Sequence, residues 1–321
     1  MKQREGVLMA KRQSCIAVSF ALMASMTIGM ADVAGAAQNP CSSIVNESGS
    51  EVTCDPIDLE ISSGELSLPI PAIGTSVGVA EISSNPSDSG DSMYVANLDG
   101  VVTVSDLTSA GVISSGVSAC SDSFYALAGY KESDNHAWYF NNAGSGNWIG
   151  SGSAVSADLS AANIITNATN NCSIVANPTN RNNYVGLTTL HPQIPIVLGA
   201  NCASIPTDTV NVHGWVSGLA YTTLARTCWW GIARPGTDEL STADVGFNSA
   251  RNWFSTLPAN CSNAFDMVGV AVHEWGHVYG LDHASSATHP NLTMSSVSAP
   301  CTVAQRSLGK GDILGLLALY P

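Results

Sequence analysis

VAVHEWGHVYGLDHA, residues 270–284, carries three of the seven histidines in a chain of 321 residues. His273 and His277 stand four apart, Glu274 follows the first of them directly, and His283 comes six residues after the second. The surrounding run, NAFDMVGVAVHEWGHVYG, has the length and apolar spacing of a buried helix, entered at Ser262 or Asn263 and closed by Gly280. On such a helix His273 and His277 share one face, with Cβ atoms about 6 Å apart. Two imidazole nitrogens at that spacing can reach one zinc ion at about 2.0–2.1 Å. Gly280 lets the chain reverse through a conformation that other residues avoid, so His283 can swing back as a third ligand. Three neutral histidines leave a fourth tetrahedral position for water, the mark of a catalytic rather than a structural zinc site. Glu274 is placed to take a proton from that water as it attacks a carbonyl and to pass it to the leaving amine.

Outward from this stretch, the chain reads as an exported precursor. Lys2, Arg4, Lys11 and Arg12 precede the apolar run CIAVSFALMASMTIGMA, and Ala34-Gly35-Ala36 forms a small-residue cleavage site. Residues 1–36 are therefore expected to be a signal peptide rather than a membrane anchor. Nine cysteines fall to eight once Cys15 is removed with the signal. An even, scattered set without a CxxC pair points to disulfides, and pairing in chain order is the expectation: Cys41–Cys54, Cys120–Cys172, Cys202–Cys228 and Cys261–Cys301. The formal charge of −14 argues against nucleic acid or an anionic membrane as partner.

Residues 37–117 read as a small β-rich region and candidate propeptide. Within them Asp99-Gly100 separates two alternating runs in SMYVANLDGVVTVSDL, a hairpin signal. SAGVISSGVSA, residues 109–119, is the expected linker. Residues 118–321 mix strands (HAWYFNN, TADVGFN) with helices (SADLSAANIITNATNNC and GDILGLLALYP, the latter capped near Asp312). Without regular βαβ repetition the class is α+β.

The run His273-Glu274-Trp275-Gly276-His277-Val278-Tyr279-Gly280-Leu281-Asp282-His283 resembles the HExxHxxGxxH signature of the metzincin zinc peptidases. Met294, in NLTMSS, is similar to the family's Met-turn methionine. Within the metzincins the likeness is to the matrixins, especially secreted bacterial members. CSDSFYALAGYKESDNHAWYFN resembles the start of that catalytic domain, ELSTADVGFN the strand bordering its substrate cleft, and GDILGLLALYP its closing helix. The resemblance covers about 200 residues, from near Cys120 to the end. It implies a mixed twisted sheet with an active-site helix and a C-terminal helix. It also implies a secreted zinc endopeptidase acting as a monomer on protein or peptide, with His273, His277 and His283 on one zinc and Glu274 as general base. Calcium is a candidate second ion with carboxylates such as Asp238 and Glu239, but without a recognisable calcium-loop motif a solvated surface is the expectation for them.

Some features depart from the matrixin pattern. Ala284 rather than serine follows the third histidine, and the PRCGxPD cysteine switch is absent, so latency, if residues 37–117 enforce it, takes another route. Ligands for a second, structural zinc are not recognisable. No tyrosine stands two residues after Met294, which speaks against the astacin and serralysin branches. A different class of function, a zinc-binding adhesin or interaction module with little turnover, fits the same fold and is separated from a peptidase only by a turnover assay.

Overall fold

The computed structural model describes residues 43–45, 51–52, 60–63, 66–85, 91–107, 116–133, 135–145, 147–149, 154–195, 202–203 and 205–321. The expected signal peptide, the Cys41–Cys54 pairing and most of the expected linker at 109–119 lie outside these residues.

The fold is α+β, built on one long twisted mixed sheet. Its main strands are β1 (Thr75–Ser83), β2 (Ser92–Leu98), β3 (Val101–Leu107), β4 (Asn135–Asn141), β5 (Arg181–Leu187), β6 (Asn211–Val216), β7 (Thr223–Ile232) and β8 (Asp238–Asn248). They lie in the order β5-β4-β6-β8-β7-β1-β2-β3. The first four of that order run parallel, and β7 is antiparallel to β8. From β7 onward the sheet continues through antiparallel β1, β2 and β3. The 75–107 strands thus extend the same sheet that carries residues 135–248. Between β2 and β3, Asp99 (φ 53°) and Gly100 (φ 83°) make the expected two-residue hairpin, both in the left-handed region that such a turn requires.

One expectation is corrected here. ELSTADVGFN, residues 239–248, was expected to border the cleft, but β8 is an interior strand between β6 and β7. The strand nearer the candidate site is β7, TLARTCWWGI, and all of it except Ile232 is buried. Covered on both faces, it shows no strict alternation, which hides its position from a pattern reading.

Three helices pack on one face: α1 (Ala154–Thr166), α2 (Met267–Val278) and α3 (Lys310–Leu319). The start of α2 differs from expectation. Asn263 sits at φ 46°, and Phe265–Asp266 pairs as a short strand with Trp253–Phe254. Asp266 then caps the helix, accepting from Val268 N at 3.3 Å and Gly269 N at 3.1 Å. Arg306 donates to the same carboxylate, through Nε at 2.7 Å. In α3 the carboxylate of Asp312 lies inside the first turn and accepts from Gly309 N at 2.7 Å, so the cap position is Gly309.

The core has two compartments. Between sheet and helices lie Trp138, Phe140, Ile165, Trp229, Phe247, Val272, Trp275 and Leu316 among others. On the opposite face Val77, Val79, Val95 and Trp230 gather around Cys202–Cys228. That disulfide, Cys120–Cys172 and Cys261–Cys301 are the expected pairings. Among the described residues no helix is long and apolar enough to cross a membrane.

Candidate metal centre

The middle of α2 is held by buried polar contacts. Asp158 of α1 accepts from Trp275 Nε1 at 2.7 Å and faces His213 Nδ1 at 2.8 Å, so the residue beside Glu274 is tied to both α1 and β6. Gly276 leaves room for Met294: a Cβ there would stand 2.2 Å from the methionine Sδ. The expected Met-turn residue therefore lies directly against the helix, one residue before His277. Met294 N and Thr293 N both donate to Asp312, at 3.2 and 2.9 Å, which pins this turn to α3. Gly280, at φ 84°, makes the expected reversal, and a Cβ there would strike the Tyr130 carbonyl at 2.1 Å. The turn returns the chain so that His283 faces the helix.

The Nε2 atoms of His273, His277 and His283 converge, at 3.0 Å for the first pair and 3.1 Å for the other two. His273 Nδ1 faces the Thr293 carbonyl at 2.9 Å, and His277 Nδ1 faces the Leu281 carbonyl at 3.0 Å. A carbonyl can only accept, so both Nδ1 atoms carry hydrogen and both Nε2 lone pairs point inward. Burial lowers the His273 pKa to about 4. It holds His277 and His283 well below their ordinary value, with neighbouring imidazoles adding to the effect. Neutral imidazoles in this arrangement repel one another unless a cation lies among them. Tetrahedral zinc with ligands at 2.0–2.1 Å requires nitrogens about 3.3 Å apart, close to the observed separation. The donor set fits the ion, and among the described residues this is the one group of three or more candidate ligands within such reach.

Beside the triad, Glu274 Oε2 accepts from Thr227 Oγ1 of β7, while Oε1 is buried without a protein partner. Burial raises this carboxyl to about 8, partly offset by the threonine. Thr227 is a site neighbour that the sequence does not single out, since an interior threonine in a buried strand carries no motif.

The site is closed. His273, Glu274 and His277 are 0% exposed and His283 1%. β1 runs beside β7, with Ala80 opposite Thr227, and its end reaches the segment after Met294. There Ser83 N donates to Ser296 O at 3.0 Å and Ser298 N to Ser83 O at 2.9 Å, in parallel register. Residues 75–83 therefore lie as an extended strand antiparallel to β7 along its length, with β2 on the other side and Ser83 alone bridged in parallel to 296–298. From β2, Ser92 Oγ donates to Asp282 Oδ1 at 2.6 Å, next to the third histidine. The adjacent Trp229 and Trp230 point to opposite faces of β7. Trp230 packs near Cys202–Cys228, whereas Trp229 lies on the other face, under Gly78 of β1. Asp238 and Glu239 are engaged by Tyr94 and Arg234 respectively. His289 lies away from the triad, stacked on Phe124 and facing Asp122.

Sheet, helix, triad and turn together resemble those of the metzincin zinc peptidases. Within that class the likeness is to the matrixins, whose family model matches residues 232–321. The matched part runs from the end of β7 to the C-terminus, holds the triad, Glu274 and Met294, and is under a third of the chain. No curated protein matches the sequence.

Proposed function

We propose that the chain is an exported zinc endopeptidase whose metal is held by His273, His277 and His283 and whose general base is Glu274. The observation that carries this reading is the inward convergence of three Nε2 atoms beside a buried carboxylate with one free oxygen. Zinc at this triad supplies Lewis acidity, lowering the pKa of water and polarising a peptide carbonyl. Glu274 Oε1 takes the proton of the attacking water and returns it to the leaving amine, while Thr227 holds the other oxygen. The raised proton affinity that burial confers on Glu274 suits proton uptake, and a nearby cation draws it back toward the working range. Tyr130, whose hydroxyl donates to the His277 carbonyl, steadies the end of α2.

An extended peptide is the natural ligand of β7, because backbone pairing along a strand is available to any sequence. That edge is taken by β1, so we read the closed state as latent, with residues 75–83 excluding substrate without a cysteine. The alternative, a zinc-binding interaction module with little turnover, draws support from the complete burial of the site. Metal analysis and chelation test the first part. One zinc per chain is expected, falling by most of its occupancy in His277→Ala, and any peptidase activity should vanish on chelation and return with zinc. Full activity in chelator would contradict the assignment.

A further inference from the structure

Arg226 is out of place electrostatically. The chain has 11 Lys and Arg against 25 Asp and Glu, yet Arg226 is only 8% exposed in β7, the strand that reaches Glu274 through Thr227. Alternation along the strand sets its direction. Ala225 and Trp229 pack into the compartment of α2 and Thr227 reaches Glu274, whereas Cys228 and Trp230 face the other compartment. Arg226 is on that second side. Directly opposite in β1 is Glu81, between Ala80 and Ile82, which face α2.

The grip on Glu81 comes from β7. Arg226 Nε and NH2 both meet Oε1 of Glu81, and Oε2 accepts from Thr223 Oγ1 at 3.2 Å. Arg226 NH1 also donates to the Pro195 carbonyl at 3.2 Å, which fixes the guanidinium plane. A strand that replaces β1 keeps its backbone pairing whatever its sequence, so discrimination falls to side chains at fixed register. One of those side chains must meet Arg226. A carboxylate restores the charge-assisted pair, an apolar group leaves a largely buried cation without it, and a lysine adds repulsion.

We propose that Arg226, with Thr223, is the specificity determinant by which the cleft reads an acidic side chain in an extended substrate, Glu81 being the built-in occupant of that subsite. This rests on the peptidase reading, but binding and turnover test the two separately. The full chain is loaded with zinc and carries Glu81→Ala, which removes the internal carboxylate, and Glu274→Ala, which prevents turnover. Fluorescence anisotropy then compares a labelled peptide of the Thr75–Ser83 sequence with one bearing Lys in place of Glu81. The acidic peptide should bind at least tenfold more tightly, and Arg226→Glu should reverse the order. Arg226→Gln, which keeps a polar side chain but removes the charge, should bind both peptides alike. Equal affinity of the two peptides for the Arg226 chain, or binding of neither, would overturn the proposal. Restoring Glu274 and assaying cleavage of the same peptides addresses the chemistry. Selective binding without any cleavage supports the subsite and counts against the peptidase.

Discussion

At the scale of single residues, the site depends on what is missing as much as on what is present. Gly276 is required by Met294, since a Cβ would lie 2.2 Å from Sδ and 2.9 Å from Cε. Gly276→Ala is expected to cost about 1–3 kcal/mol through this overpacking and to lower the melting temperature with no change in net charge. An unchanged melting temperature would show that the methionine yields freely. Asp244, buried in β8, accepts from Gln193 N at 2.6 Å and Val212 N at 2.8 Å, yet burial raises its carboxyl to about 7. Between its ordinary value of 3.8 and about 7 the folded chain binds a proton that the unfolded chain lacks. Asp244 therefore favours folding more as pH falls through that window, and its contribution is lost as pH rises past 7. The pH dependence of unfolding should flatten between pH 4 and 7 in Asp244→Asn, by an amount on the order of a few kcal/mol. Parallel curves for the two proteins would contradict the assignment.

Among the elements, β1 carries the most consequence. Gly78 lets it lie on Trp229, where a Cβ would come within 2.1 Å of the indole ring. Gly78→Leu is expected to drive the strand off its seat. Amide exchange over residues 75–83 should then quicken, and turnover by the zinc-loaded chain should rise at least tenfold. Fast exchange without a gain in turnover would count against latency by strand occupancy. The start of α2 offers a plainer test. Asp266 caps two backbone amides and pairs with Arg306, so Asp266→Ala should lower stability by about 1–3 kcal/mol in denaturant melts. The helices show how legibility divides along the chain. The motif at 273–283 is readable because metal geometry forces residue types into fixed spacing. The entry at Asp266 is not, because Asn263 and the pairing of Phe265–Asp266 depend on a distant strand at Trp253–Phe254. The hairpin at Asp99-Gly100 is legible for a local reason, its two left-handed residues.

For the whole molecule, the long-range pairing of β1 with β7 is the feature that no local pattern announces. Its partners lie between 140 and 157 residues apart, and β7 reads as a central strand because β1 completes it. The α+β class follows from the mixture of strands and helices, whereas the parallel order of β5, β4, β6 and β8 and the continuity of 75–107 with that sheet are purely tertiary. The three disulfides among the described residues follow the chain-order expectation. Each closes a segment of moderate length, between 26 and 52 residues. Their reduction should lower the melting temperature, each bond contributing about 2–4 kcal/mol. The central claim is that the triad and Glu274 hydrolyse peptide bonds. It is tested most directly by exposing a mixed peptide library to the zinc-loaded Gly78→Leu chain and to the same chain carrying Glu274→Ala. Cleavage by the first and a loss of at least a thousandfold in the second, at equal zinc content, is the expected result. Cleavage undiminished without Glu274, or none by either chain despite bound zinc and a displaced β1, would contradict the account.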